Sequence, residues 1–289
     1  MRWEGRRGSD NVRDRRGMSP AAVGGGGLGV VIVLVLAVFF GVDPQQLMQQ
    51  VGPPGGAAVA PGVEDPEREQ LVKFVGVVLA DTEDVWNELF PKLLGKPYRE
   101  PTLSLFRNGT NSACGQASSA VGPFYCPGDN TVYLDLGFFT EMKTRFKAPG
   151  DFASAYVIAH EVGHHVQNLL GLTDYVSTMQ SKAQRAGDSL ESKRLSVRLE
   201  LQADFLAGVW AHHAQKTKQI LESGDVAEAI NAAQAIGDDT LQRQSQGRVV
   251  PDAFTHGSAA QRIRWFTRGL ESGDLEDIQL LFDTPYDDL

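Results

Sequence analysis

The chain has 289 residues, 42% of them hydrophobic, which is enough for one substantial core with appendages. Its net charge of −9 is unevenly divided: residues 1–20 carry +3 through six arginines, and the remainder sums to −12. An acidic body argues against a nucleic-acid partner, which would call for a basic face.

Residues 1–20 are polar, arginine-rich and poor in core-forming side chains, so they read as a flexible basic tail. From Ala21 to Val42 no charge occurs, and Leu28–Phe40 is almost wholly apolar; these 22 residues are long enough to cross a hydrocarbon core of about 30 Å. A cleavable leader fits poorly, because the small-residue box Ala58-Val59-Ala60 lies 18 residues beyond Phe40. A buried soluble helix is disfavoured by the four glycines 24–27 and by the lack of a polar face. The expectation is one transmembrane anchor over 21–42, with the arginine-flanked tail cytoplasmic and the body extracytoplasmic. Residues 43–66, rich in Pro, Gly, Ala and Gln, read as a linker, and 67–289 as the folded domain.

Leu71, Phe74, Val75, Val78, Leu79, Val85, Trp86, Leu89 and Phe90 recur at helical spacing. They predict an amphipathic helix, broken near Asp81 and ending before Pro91. Thr102–Phe106 reads as a short strand, 107–115 as a turn-rich segment, and Thr131–Leu136 as a half-buried alternating strand. Cys114 and Cys126 fit a disulfide outside the cytoplasm, with two buried thiols as the alternative. Together these elements predict an α+β domain that is predominantly helical with a small β-sheet.

A helix from Asp151 to Leu170 carries His160-Glu161-Val162-Gly163-His164. Residues i and i+4 share a helix face, so two imidazoles can grip one metal ion, while Glu161 stands beside it as a base. Gly163 costs about 1 kcal/mol relative to Ala, which calls for a close-packing reason. Without a third donor the two histidines would be ordinary surface residues. Glu200 and Asp204, four apart on the next strongly helical stretch, meet the need: Glu200 as third ligand and Asp204 hydrogen-bonded to the outer nitrogen of a ligand histidine. His165, His212 and His213 are read as non-ligands.

HEVGHH followed by ELQAD resembles the gluzincin metallopeptidases. WEGRRGSDNVRDRRG, CGQASSAVGPFYCPGDNTVYLDLGFF, HEVGHHVQ, ELQADFLAG and THGSAAQRIRWF are similar to blocks of the bacterial Putative neutral zinc metallopeptidase family. The resemblance implies a zincin-like fold, Zn2+ as cofactor, and a peptide or protein substrate, most simply cut as by an endopeptidase, at a bacterial cell membrane. It also implies that the strand TVYLDL lines the cleft and pairs with extended substrate. His256 and Arg262 are spaced as in the His-Pro-Ser-x-x-x-Arg segment of membrane-embedded gluzincins, with Gly257 in place of proline. On that likeness His256 stabilises the oxyanion and Arg262 positions His256, against the alternative of a helix-end histidine with a structural arginine.

The function expected is therefore a membrane-anchored zinc peptidase. The alternatives are a non-catalytic zinc-binding scaffold or partner-binding pseudo-peptidase, and an amidase acting on a non-peptide amide. Residues 217–247 show helical spacing without identifiable chemistry, and the acidic C-terminus reads as a frayed tail.

Overall fold

The computed structural model describes residues 1–16 and 66–289. The expected anchor at 21–42 and the linker up to residue 65 lie outside the described residues. Among those described, no helix is long and apolar enough to cross a membrane.

The elements run in chain order as β1 (Val12–Asp14), α1 (Pro66–Leu94), β2 (Thr102–Phe106), β3 (Gly109–Ser112), β4 (Gly115–Ser118), β5 (Phe124–Cys126) and β6 (Thr131–Asp135). Then follow α2 (Gly137–Thr144), α3 (Asp151–Leu169), α4 (Leu172–Arg185), α5 (Ser189–Lys218), α6 (Asp225–Ala235), α7 (Asp238–Gln246), α8 (Ala259–Ser272) and α9 (Leu280–Asp283). The domain is thus α+β and mainly helical, as composition and periodicity predict.

One sheet has the order β1-β2-β6-β5, parallel except for β5, which runs antiparallel at one edge. Leu103, Leu105, Val132 and Leu134 point from it into the main core with Phe74 and Val78 of α1 and Tyr156 and Val162 of α3. The opposite face is covered as well. There Phe106, Cys126 and Tyr133 form a smaller cluster with Phe124 and Cys114, beside the β3–β4 hairpin. The alternation of TVYLDL therefore separates two buried environments rather than core from solvent. Cys114 and Cys126 are joined in a disulfide with Cα atoms 5.8 Å apart, which ties the hairpin turn to β5.

The N-terminal residues depart from the expected flexible tail. β1 is hydrogen-bonded beside β2 in parallel register, Val12 opposite Leu103. The Met1 ammonium lies 2.5 Å from Asp151 in the first turn of α3 and 3.3 Å from Asp225 of α6. Helix α1 is also unbroken. Asp81 and Glu83, only 2% exposed, are its docking strip for the arm. Arg6 pairs with Asp81, which also takes Lys218 of α5 at 2.8 Å. Ser9 and Asn11 donate to Glu83. Sequence periodicity reads charged residues in a helix as an interruption; here they are buried because cations and donors brought from elsewhere compensate them. Pro91 lies within the last turn of α1.

The C-terminus is docked too: Tyr286 lies under the Arg194 guanidinium, 4.6 Å from its ring centroid, and Leu289 is buried.

Helices α3, α5 and α8 form the layer that builds the site. Gly163 faces the backbone of α5, where an added Cβ would stand 3.0 Å from the Ala203 carbonyl oxygen, the close approach that the sequence calls for. Gly208 and Gly269 let α5 and α8 touch backbone to backbone; a Cβ on Gly269 would lie 2.1 Å from the Phe205 oxygen. Gly269→Ala must push these helices apart. We expect a stability loss of about 1–3 kcal/mol, the range for overpacked cores, measured by denaturant unfolding.

Candidate metal centre

Helix α3 puts His160 and His164 on one face with ring centroids 4.8 Å apart. Helix α5 crosses it closely enough to bring Glu200 to both: its Oε2 is 3.2 Å from His160 Nε2 and its Oε1 3.6 Å from His164 Nε2. These separations are close to the ligand–ligand edge of about 3.3 Å in a tetrahedron with ligands at about 2 Å, so one ion can take all three donors. His164 and Glu200 keep side-chain exposures of 17% and 19%, so the group is reachable from solvent.

What fixes the donors is a second ring of partners. His160 Nδ1 donates to Asp204 at 2.8 Å, and His164 Nδ1 donates to the Gln167 side-chain oxygen at 2.8 Å. With Nδ1 of each ring committed to these acceptors, Nε2 is the nitrogen turned toward Glu200, where a metal ion would take the place of a proton. The Gln167 amide is oriented in turn by donating to Leu199 O at 2.6 Å and to Gln202 Oε1 at 2.9 Å. Asp204 is fully buried and also accepts from the Tyr156 hydroxyl at 2.5 Å. Arg262 of α8 grips it with two bonds, 2.8 Å from Nε and 3.0 Å from the terminal nitrogen.

The electrostatics favour positive charge between the helices. Burial works against the Asp204 carboxylate, but Arg262 and His160 outweigh it and hold it down to about 2. Burial likewise opposes charge on His160, yet Asp204 and Glu200 drive it up to about 10. Glu200 stays well below the carboxylate range despite its burial, because His164 and His256 carry opposing charge toward it. A donor set of two Nδ1-protonated imidazoles and one carboxylate, backed by an ionised aspartate, fits Zn2+. Glu161, 8% exposed, is next to His160 on α3 and near enough to His164 for its charge to act there.

The structure thus brings together His160, Glu161, His164, Glu200 and Asp204 as the spacing predicts. It reassigns Arg262, whose guanidinium holds Asp204 rather than His256. His256 is positioned by Asp238 of α7, which receives its backbone N–H at 2.7 Å and faces its Nδ1 at 3.3 Å. The His256 imidazole is raised in pKa: burial opposes its charge, but Glu200 and Asp238 prevail. His256 is thus near enough to Glu200 for the charge of each to act on the other.

His165 is turned away from the donors and is bonded to Tyr125 and to the Arg99 carbonyl; His212 and His213 meet the carbonyls of Leu270 and Gly273. A second acidic group, Asp151, Asp225 and Glu228, already has the Met1 ammonium against two of its members.

β6 is paired on both sides, by β2 and β5, so it offers no edge to a substrate. The edge strand beside α3 is β5, and this corrects the assignment of TVYLDL. Gln167, Tyr156 and Asp238 are functional neighbours that sequence reasoning missed. Gln167 carried a readable signal, three residues beyond His164 on the same helix face; the other two reach their partners only through folding.

Residues 1–280 match the family described as Putative neutral zinc metallopeptidase. The chain is similar to "Uncharacterized protein YpfJ" of Escherichia coli (strain K12), 51% identical over 284 residues, covering 95% of this chain and 96% of that protein. It is also similar to "Uncharacterized protein Rv2575" of Mycobacterium tuberculosis (strain ATCC 25618 / H37Rv), 42% identical over 255 residues and 82% of each chain. No solved structure matches it.

Asp204→Asn keeps the shape but removes the charge that orients His160. Zinc affinity should fall about 10–100-fold, as measured by chelator competition. Asp238 supports a pH prediction. Burial alone would raise its pKa, but the hydrogen bond and charge of His256 and the backbone N–H groups lower it below its ordinary value. A depressed carboxylate stabilises the fold above its unfolded pKa and loses that contribution as pH falls through its folded one. Asp238→Asn should therefore be less stable than wild type at neutral pH, with the gap closing below about pH 4, read from paired thermal melts across pH.

Proposed function

This chain belongs to the Putative neutral zinc metallopeptidase family, and on that premise we propose that it is a zinc-dependent peptidase acting on extended peptide segments. The observation that carries the reading is the convergence of His160, His164 and Glu200 with Glu161 alongside. When bound there, zinc supplies the Lewis acidity that activates water and polarises a carbonyl.

The chain's own residues do the rest. Glu161 accepts a proton from the attacking water and returns it to the departing amine. Asp204, Arg262 and Gln167 keep the histidines in the required tautomer and direction. His256, held by Asp238 and favoured in its charged form by Glu200, places positive charge where the carbonyl oxygen becomes negative. The edge strand β5, antiparallel and with no further strand on its outer side among the described residues, is where an extended peptide adds its backbone.

Glu161→Gln should keep stoichiometric zinc while hydrolysis of a random peptide library falls at least about 10²–10⁴-fold. Equal turnover by the two proteins would remove the base assignment. Bound zinc with no turnover by wild type would favour the scaffold reading.

Membrane association through residues 21–42 is part of the proposal, but with a topology different from the one that charge distribution suggests. Because β1 pairs with β2 and Met1 with Asp151, residues 1–16 and 66–289 form one packed body. We therefore place both flanks of the apolar segment on the same side of the bilayer. The disulfide supports the extracytoplasmic side for both. Single cysteines at exposed Glu4 and Glu271 should react alike with a membrane-impermeant maleimide on intact cells. Labelling of the second alone would return the arm to the cytoplasm.

A further inference from the structure

The position of β5 relative to the donors is set by side chains that the proposed chemistry does not use. β5 has only three residues, pairs on one side, and runs opposite in direction to the rest of its sheet. Main-chain bonding alone holds so short an edge strand weakly. Its alternation sends Tyr125 toward α3, and Phe124 and Cys126 to the opposite face.

On the α3 side Tyr125 meets His165, the residue immediately after the ligand His164. His165 is fully buried, between the rings of Tyr98 and Tyr125 at 5.7 and 5.4 Å. Its Nε2 is 2.6 Å from the Arg99 carbonyl oxygen, which can only accept, so Nε2 carries the proton. With the Nε2 proton committed to that carbonyl, Nδ1 is the nitrogen presented to Tyr125. The Tyr125 hydroxyl, 2.9 Å away, donates to it. That hydroxyl in turn accepts from the Asn168 amide at 3.0 Å, and Asn168 also donates to Asn130 Oδ1 at 3.2 Å. The Tyr125 hydroxyl proton has two acceptors within reach, His165 Nδ1 at 2.9 Å and Asn130 Oδ1 at 3.1 Å, so the hydroxyl joins β5 both to α3 and to the residue preceding β6. On the other face, Cys126 is held by the disulfide and Phe124 stacks on Tyr133 at 4.9 Å.

We propose that His165, through Tyr125, is a positioning residue that fixes the height and register of β5 over the active-site helix, so that a peptide added to this edge meets the metal donors. The inference rests on the peptidase reading above and deepens it: a histidine that is no ligand ties the peptide-binding strand to the helix that carries two ligands. A residue adjacent to a ligand in sequence thus serves substrate placement, and the substrate class is an extended peptide long enough to reach β5.

The test uses Tyr125→Phe in the full-length zinc-loaded protein, which keeps the ring and its packing and removes only the hydroxyl. Asn168→Ala is the second variant, milder because Tyr125 keeps its bond to His165. Each is assayed on a ten-residue peptide and on a blocked dipeptide spanning only the scissile bond. A single hydrogen bond accounts for a change of about threefold to tenfold. Tyr125→Phe should therefore raise KM for the long peptide by about that factor, with kcat within about twofold and the dipeptide unaffected. Asn168→Ala should shift KM the same way by less. Independently of activity, the backbone amides of residues 124–126 should exchange with deuterium about tenfold faster in Tyr125→Phe at unchanged zinc content.

Equal losses on both substrates, or unchanged long-peptide KM with unchanged exchange in 124–126, overturn the positioning role while leaving the peptidase reading standing. Absence of any Glu161-dependent hydrolysis in wild type removes the peptidase reading itself and the proposal with it. That outcome is distinguished from the first by the wild-type control alone.

Discussion

The buried carboxylate of Asp204 is the constraint around which the catalytic layer is arranged. A fully buried ionised group is tolerated only when its charge is matched and its lone pairs are filled. Here three helices meet that demand together: Tyr156 and His160 from α3, Asp204 itself from α5, and Arg262 from α8. The requirement runs in both directions, because Arg262 is as deeply buried and has Asp204 as its counter-charge. Backbone contact at Gly208 and Gly269 brings α8 near enough to supply the arginine, and Gly163 lets α3 approach α5 by the same means. Glycines that look unfavourable for helix formation thus permit the distances on which the metal donors depend.

A similar balance holds where the N-terminal arm docks on α1. Buried Asp81 of α1 is matched by Lys218 of α5 and by Arg6 of the N-terminal arm, which also brings Ser9 and Asn11 to Glu83 while adding a strand to the sheet. The arm's first residue then pairs with Asp151, an acidic side chain in the first turn of the helix carrying the two histidines. A negative side chain there is favourable to the helix dipole, and the Met1 ammonium anchors it to α6 as well. The arginine-rich beginning of the chain is in this way part of the domain.

Around the donors, polar groups converge from both sides of the cleft. Gln167 and Asp204 orient the two imidazoles from behind, Asp238 carries His256 to the Glu200 side, and β5 lies along the helix at His165 and Asn168. The site is assembled from α3, α5, α7, α8 and β5, and the carbonyls of Arg99, in the loop before β2, and of Leu199, within α5, fix side-chain direction.

Local spacing was sufficient for the donors themselves. His160 and His164 share a face because four residues make one turn, Glu161 follows from its place between them, and Glu200 and Asp204 repeat the same one-turn logic on α5. The two cysteines and the mainly helical α+β class were legible for the same reason, since pair number and periodicity are properties of short segments. Contacts between distant segments were not. That Arg262 belongs to Asp204, that Asp238 belongs to His256, that β5 rather than β6 is the edge, and that the arm docks on Asp81 and Glu83 each joins residues separated by 18 or more positions or depends on strand order. A charged residue in a helix or an arginine-rich terminus has the same local pattern whether it is solvated or buried against a partner. Only the folded chain, by bringing the opposite charge to it, decides which.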